Sequence, residues 1–225
     1  YDLLSLGELE ASRRGDNLAR SVFLFLQARL DNEMGVAEVA LEKLSEAISL
    51  CGLTGDEVLL ASLFHFKGML LRDKSPLQAR EYFERSLVIS KRMHNRAGQA
   101  STLYEIGCLE EQNGNSDVAG ALYEESLAIF TELGLPRERA TLLFQIGVLR
   151  GDLTYLRSAL TIYEKLGDLR GCAQTMHQIG RVWMEKGNSQ KAYDCYVEAV
   201  RIFRRLGARN SVLSVERDMQ YLISA

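Results

Sequence analysis

The chain has 225 residues, 47% of them apolar, 25% charged and 8% aromatic, with a formal net charge of −3. That much apolar surface excludes wholesale disorder. The slight acidic excess argues against a nucleic-acid binder, which carries net basic charge to neutralise phosphates. Two prolines, Pro76 and Pro136, against abundant Ala, Leu and Glu, point away from an all-β sandwich and towards helices.

No long uncharged apolar run spans a membrane, and no leader or transit composition is present. The chain starts at Tyr1, not Met, and reads as a piece of something longer. Cys51, Cys108, Cys172 and Cys195 are far apart and lack metal-ligand spacing, so reduced, partly buried thiols in a reducing, cytoplasmic compartment are expected.

In chain order, residues 1–13 read as a flanking helix, the second of a preceding pair. Helix pairs follow over about 16–51, 55–93, 95–133, 137–166 and 169–206, and a last helix covers 208–224. Four second helices align on a small residue: Ala40, Ala79, Ala119 and Ala192. Four residues on stands a large one: Leu44, Phe83, Tyr123 and Tyr196. Three further stands another small one: Ala47, Ser86, Ser126 and Ala199. Steps of four and three put all of these on one helix face. The first helices supply Ala28, Gly107, Gly147 and Gly180, with turns at Gly35, Gly114 and Gly187. Small against large is what lets two antiparallel helices approach closely. A single pair cannot bury its own apolar face, but stacked pairs can.

One pair is short. From Gly147 to Gly180 is about seven residues less than the preceding step, roughly two helical turns. Removing one turn from each helix leaves Arg150-Gly151-Asp152 as the turn, with Asp152 as N-cap. This shortening predicts a break in superhelix regularity around 146–167. At the end of the chain, Met219 and Leu222 should face the last pair.

The pattern resembles the tetratricopeptide repeat. Leu103, Ile106 and Gly107, and Met176, Ile179, Gly180 and Trp183, match the family's first helix. The Ala–Tyr/Phe–Ala set matches its second. The spacing, about 40 rather than about 34, is similar to the longer repeats of kinesin light chains, spindle-orientation adaptors and sensor arms of bacterial signalling ATPases. The resemblance implies a single all-α, right-handed superhelical solenoid whose first helices line a concave groove.

The family's groove-facing position, three residues before the small Ala or Gly, is read as Phe25, Phe64, Tyr104, Phe144 and His177, with Arg217 in the last helix. The next inward position reads Arg29, Gly68, Cys108, Val148, Arg181 and Tyr221. These residues, Gly68 aside, form the candidate partner-binding set, with Phe64, Tyr104 and Phe144 as apolar anchors and His177, Arg181 and Arg217 as a basic end. Phenylalanine or tyrosine stands where the family's carboxylate clamp for chaperone tails carries lysine, so that clamp does not carry over.

Catalysis is not expected. His65, His94 and His177 fit no ligand spacing, no phosphate-cradling loop exists, and Glu110-Glu111 and Glu124-Glu125 read as solvated faces. The reading is therefore a non-catalytic protein-interaction scaffold holding a partner peptide or amphipathic helix, without cofactor, metal, nucleic acid or membrane. Self-association through the stack ends is possible. The alternative is a sensor or autoinhibitory arm of a larger signalling protein.

Overall fold

The computed structural model describes residues 2–224. The Tyr1 end of the first predicted helix lies outside them. Among the described residues there are twelve helices and no strand. They are α1 (Asp2–Arg14), α2 (Asn17–Glu33), α3 (Ala37–Thr54), α4 (Glu57–Leu71), α5 (Pro76–Arg92) and α6 (Arg96–Gln112). Then come α7 (Ser116–Glu132), α8 (Pro136–Arg150), α9 (Leu153–Leu166), α10 (Leu169–Glu185), α11 (Ser189–Arg205) and α12 (Arg209–Ser224). Two compact units divide the chain inside α7, one over residues 1–122 and the other over 123–225.

Local chemistry sets the helix ends. The first helices of most pairs are capped by an acid or amide side chain. Asp16 accepts from the Ala19 amide at 2.9 Å, Asp56 from Leu59 at 2.9 Å, Asn95 from Gly98 at 3.0 Å and Asp168 from Gly171 at 2.9 Å. Each satisfies an amide that has no intrahelical partner. In three of the turns within pairs a glycine takes the left-handed conformation: φ is +80° at Gly35 and Gly114 and +72° at Gly187.

Asp168 also accepts from Arg137 Nη1 at 2.7 Å, but that arginine is well exposed and the pair contributes little. Asp168→Ala should therefore cost about 1 kcal/mol, the value of the cap, and lower Tm by roughly 2–4 °C. Asp168→Asn should retain most of it. A thermal melt of the two variants measures this.

In the first unit, Ala40, Leu44 and Ala47 of α3 lie fully buried against Leu24 and Ala28 of α2 and Leu63 of α4. Ala79 and Phe83 of α5 pack with Leu71, Ile106 and Leu109. In the second unit, Ala192, Tyr196 and Ala199 of α11 sit in a core with Ala159, Tyr163, Cys172, Phe203 and Val215. Met219 and Leu222 of α12 pack on this core. Trp183 is a packing residue too, half-buried against it, with Lys191 Nζ 4.4 Å from its ring centre.

The short pair in the second unit turns at Gly151 (φ +60°). Asp152 accepts from the Thr154 amide at 2.7 Å. Helices α8 and α9 have 15 and 14 residues, against 17 in both α10 and α11. The second helix thus begins where other copies place their first small residue. Leu156 takes the large position, where it meets Gly147.

Glu110 is not a solvated residue, contrary to the sequence reading. It is 9% exposed, accepts from Asn115 Nδ2 at 2.7 Å and from Arg80, and ties the α6 turn to α5. Those two donors hold its carboxyl below the usual glutamate range. The partners lie in a turn and on another helix, so helix-face geometry alone could not reveal them.

Candidate functional site

In the first unit, the first helices α2, α4 and α6 meet around a hollow of ≈ 400 Å³. Helix α2 presents Phe25 and, one turn on, exposed Arg29. Helix α4 presents His65, Phe66 and Met69, and α6 presents Thr102. The Phe25 and Phe66 rings meet edge to face, centres 5.7 Å apart and planes at 70°, a favourable aromatic geometry.

The polar floor is tightly bonded. Thr102 Oγ1 donates to the Gly98 carbonyl at 2.8 Å, and Ser86 Oγ to the Ala61 carbonyl at 2.8 Å. His65 Nδ1 lies 3.2 Å from Thr102 Oγ1, and its ring leans on Phe83 with centres 5.7 Å apart. Burial disfavours the imidazolium and pushes the His65 pKa down to about 4.

His65 stands where sequence reasoning placed Phe64. The reason is register. A Cβ on Gly68 would come within 2.6 Å of the Phe83 ring, just as one on Gly180 would come within 2.4 Å of Tyr196. Gly68 is therefore the small crossing residue, not an inward-facing one. Counting back three residues reaches His65. Phe64 is 8% exposed, packed between α4 and α5 against Tyr82, with the Arg85 guanidinium 5.7 Å from its ring centre. The interval from Ala28 to Gly68, close to the usual repeat, was the signal that finds this register.

Of the other predicted residues in this unit, Tyr104 is half-buried and Cys108 is buried, and neither lines the hollow. Burial pushes the Cys51 thiol up, and no disulfide joins the four cysteines.

In the second unit, Phe144, His177 and Arg181 gather at a smaller hollow of ≈ 320 Å³ that also takes in Ser211 and Ser214 of α12. Val148 packs half-buried with Leu156 and Ile179. Arg217 and Tyr221 are exposed on α12, the latter at 62%. The expected basic end is offset by Asp218. Its Oδ2 is 2.8 Å from His177 Nε2 and 3.9 Å from Arg181 Nε. Asp218 lies one helix pair away in sequence, which is why a reading of single helices missed it.

Residues 58–132 match the tetratricopeptide repeat family. This segment belongs to that family. No curated protein matches the sequence. Among solved structures, the chain is similar to BtubC (BKLC) from P. vanneervenii, with 22% identity over 92% of this chain and 90% of that one, at TM-score 0.79. It is also similar to a signal transduction ATPase with numerous domains, carrying a tetratricopeptide repeat sensor, from Pyrococcus horikoshii. Identity there is 16%, TM-score 0.78, and coverage 87% of this chain but 31% of that one. A third is the Rap conjugation gene regulator of plasmid pLS20, in complex with the Phr* peptide. Here 15% identity spans 91% of this chain and 59% of that one, at TM-score 0.67. These likenesses establish the fold, an all-α tetratricopeptide-repeat-like solenoid of helix pairs.

Among the described residues, no group of three or more His, Cys, Asp or Glu side chains is placed to hold a metal, and no helix is long and apolar enough to cross a membrane.

Proposed function

We propose that the chain is a non-catalytic, cytoplasmic adaptor that holds a peptide segment of a partner protein on the inner faces of its first helices. The observation that carries this reading is the hollow of the first unit. It joins an aromatic pair, Phe25 and Phe66, to an exposed cation, Arg29, and to polar groups at its floor. Apolar anchors beside convergent polar groups make a recognition site. In the second unit Phe144, His177 and Arg181 offer a smaller site of the same kind. The fold is shared with a Rap regulator solved with a peptide, which favours a peptide as the occupant. Four cysteines without a disulfide suit a reducing compartment.

The test is selection of random decapeptides on the full chain. Enriched peptides should lose binding at least tenfold to a Phe25→Ala/Arg29→Glu variant whose circular dichroism is unchanged. Absence of enrichment, or equal binding by the variant, refutes the reading.

A second reading is favoured by one observation. The chain superposes on a protein with a repeat sensor while spanning 31% of it. In that reading the same hollow belongs to the sensor arm of a larger signalling protein. An adjoining effector domain in the full reading frame would support it.

A further inference from the structure

The protonation pattern at the floor of the first-unit hollow determines what it recognises, an inference that rests on the peptide-binding reading. Each hydroxyl has one proton. That of Thr102 is committed to the Gly98 carbonyl at 2.8 Å, and that of Ser86 to the Ala61 carbonyl at 2.8 Å. Thr102 Oγ1 therefore meets His65 with lone pairs alone. The 3.2 Å contact to Nδ1 is a hydrogen bond only if Nδ1 carries the proton. Desolvation keeps the ring neutral, so Nε2 is a bare acceptor.

That nitrogen makes no hydrogen bond within the protein, yet it is not sealed. Among the described residues, the one buried side-chain nitrogen or oxygen lacking a partner is Arg139 Nε. His65 Nε2 is therefore not fully enclosed, and His65 is one of the residues that line the hollow.

We infer that this hollow selects a partner side chain that is a neutral hydrogen-bond donor, an amide or a hydroxyl, delivered to Nε2 of His65 beside the Phe25 and Phe66 rings. The donor is neutral because Arg29 lines the same hollow and repels an ammonium or guanidinium. An apolar side chain of equal size leaves Nε2 desolvated and unpaired, which is the usual basis for rejecting an analogue lacking a donor.

The first arm of the test is spectroscopic. Long-range proton–nitrogen correlation on the full chain at pH 6.5 should show His65 protonated at Nδ1. Protonation at Nε2 overturns the inference. The second arm uses decapeptides selected on the wild-type chain. They should share a Gln, Asn, Ser or Thr at one place, and changing it to Leu or Val should weaken binding about tenfold, the size of one hydrogen bond.

On His65→Phe, which keeps a ring against Phe83 but offers no acceptor, that discrimination should vanish. On Thr102→Val, which frees the imidazole to change tautomer, it should fall likewise. If both variants retain the tenfold preference, or the selected peptides share no donor, the inference fails and peptide binding itself stands. If no peptide binds in a manner sensitive to Phe25 and Arg29, the underlying reading fails with it.

Discussion

Phe83→Ala should destabilise the first unit by about 3–5 kcal/mol, the range for truncating a fully buried aromatic residue. The ring is completely enclosed. The His65 ring packs against it at a tilt, centres 5.7 Å apart, and the edge of Phe83 fills the space that a Cβ at Gly68 would occupy. Neither neighbour can collapse into the cavity, because both belong to one turn of α4 and its backbone is fixed by helix hydrogen bonds. Urea unfolding measures the loss.

The small–large pairing makes a sharper test. Gly68→Ala gains up to about 1 kcal/mol of helix propensity. Against that, it drives a methyl to 2.6 Å from the Phe83 ring, an overpacking that costs about 1–3 kcal/mol. In a Phe83→Leu background the ring edge is gone, and Gly68→Ala should become neutral or stabilising. Strict additivity in the double-mutant cycle would show that the two positions do not share this space.

Arg72→Met should cost about 2–3 kcal/mol at pH 7, and the loss should shrink as the pH falls. Arg72 Nη1 is 2.9 Å from Glu105 Oε2, and the Glu105 side chain is 8% exposed. Removing the cation leaves a buried carboxylate without its partner, which is costly even though the same pair adds little net stability when intact. The magnitude lies below the fully buried case because Arg72 itself is 30% exposed.

Burial raises the Glu105 pKa above its ordinary 4.5, and Arg72 opposes that rise without cancelling it. The native state therefore binds this proton more tightly than the unfolded chain. The penalty of ionised Glu105 applies in full above the folded-state pKa. It disappears as the pH falls through that value towards the unfolded one. Without Arg72 the folded-state pKa climbs further and the window moves up in pH. Unfolding of wild type and Arg72→Met at pH 5 and pH 7.5 should show a smaller gap at the lower pH. Adding Glu105→Gln to Arg72→Met should recover most of the loss at pH 7. A gap independent of pH would mean that the buried charge is not the cause.

Much of the fold was legible because its rule is local and periodic. Ala79, Phe83 and Ser86 stand at steps of four and three, and all three are buried where those steps put them. Asp152 was legible as a cap because the deletion leaves no other turn in its neighbourhood, and it caps α9. The groove residues were harder. Phe64 and His65 are adjacent, both are aromatic, and a slip of one position rotates the reading by about 100° around the helix. The contact between Gly68 and Phe83, across two helices, shows which of them faces inward, and the repeat-length step from Ala28 to Gly68 was the sequence signal for it. Asp218 and Glu110 were missed for a related reason: their partners are on other elements, at separations that helix periodicity does not encode.

By itself the amino-acid order determined the all-α class, the small–large crossings and the turns, because each depends on residues within about one helical turn of each other or on a repeating interval. The tertiary structure alone decided the pairing of Asp218 with His177 and the state of the His65 ring. Those depend on which groups of separate helices come within hydrogen-bond reach. They depend also on where two hydroxyl protons go once their carbonyl partners are in place.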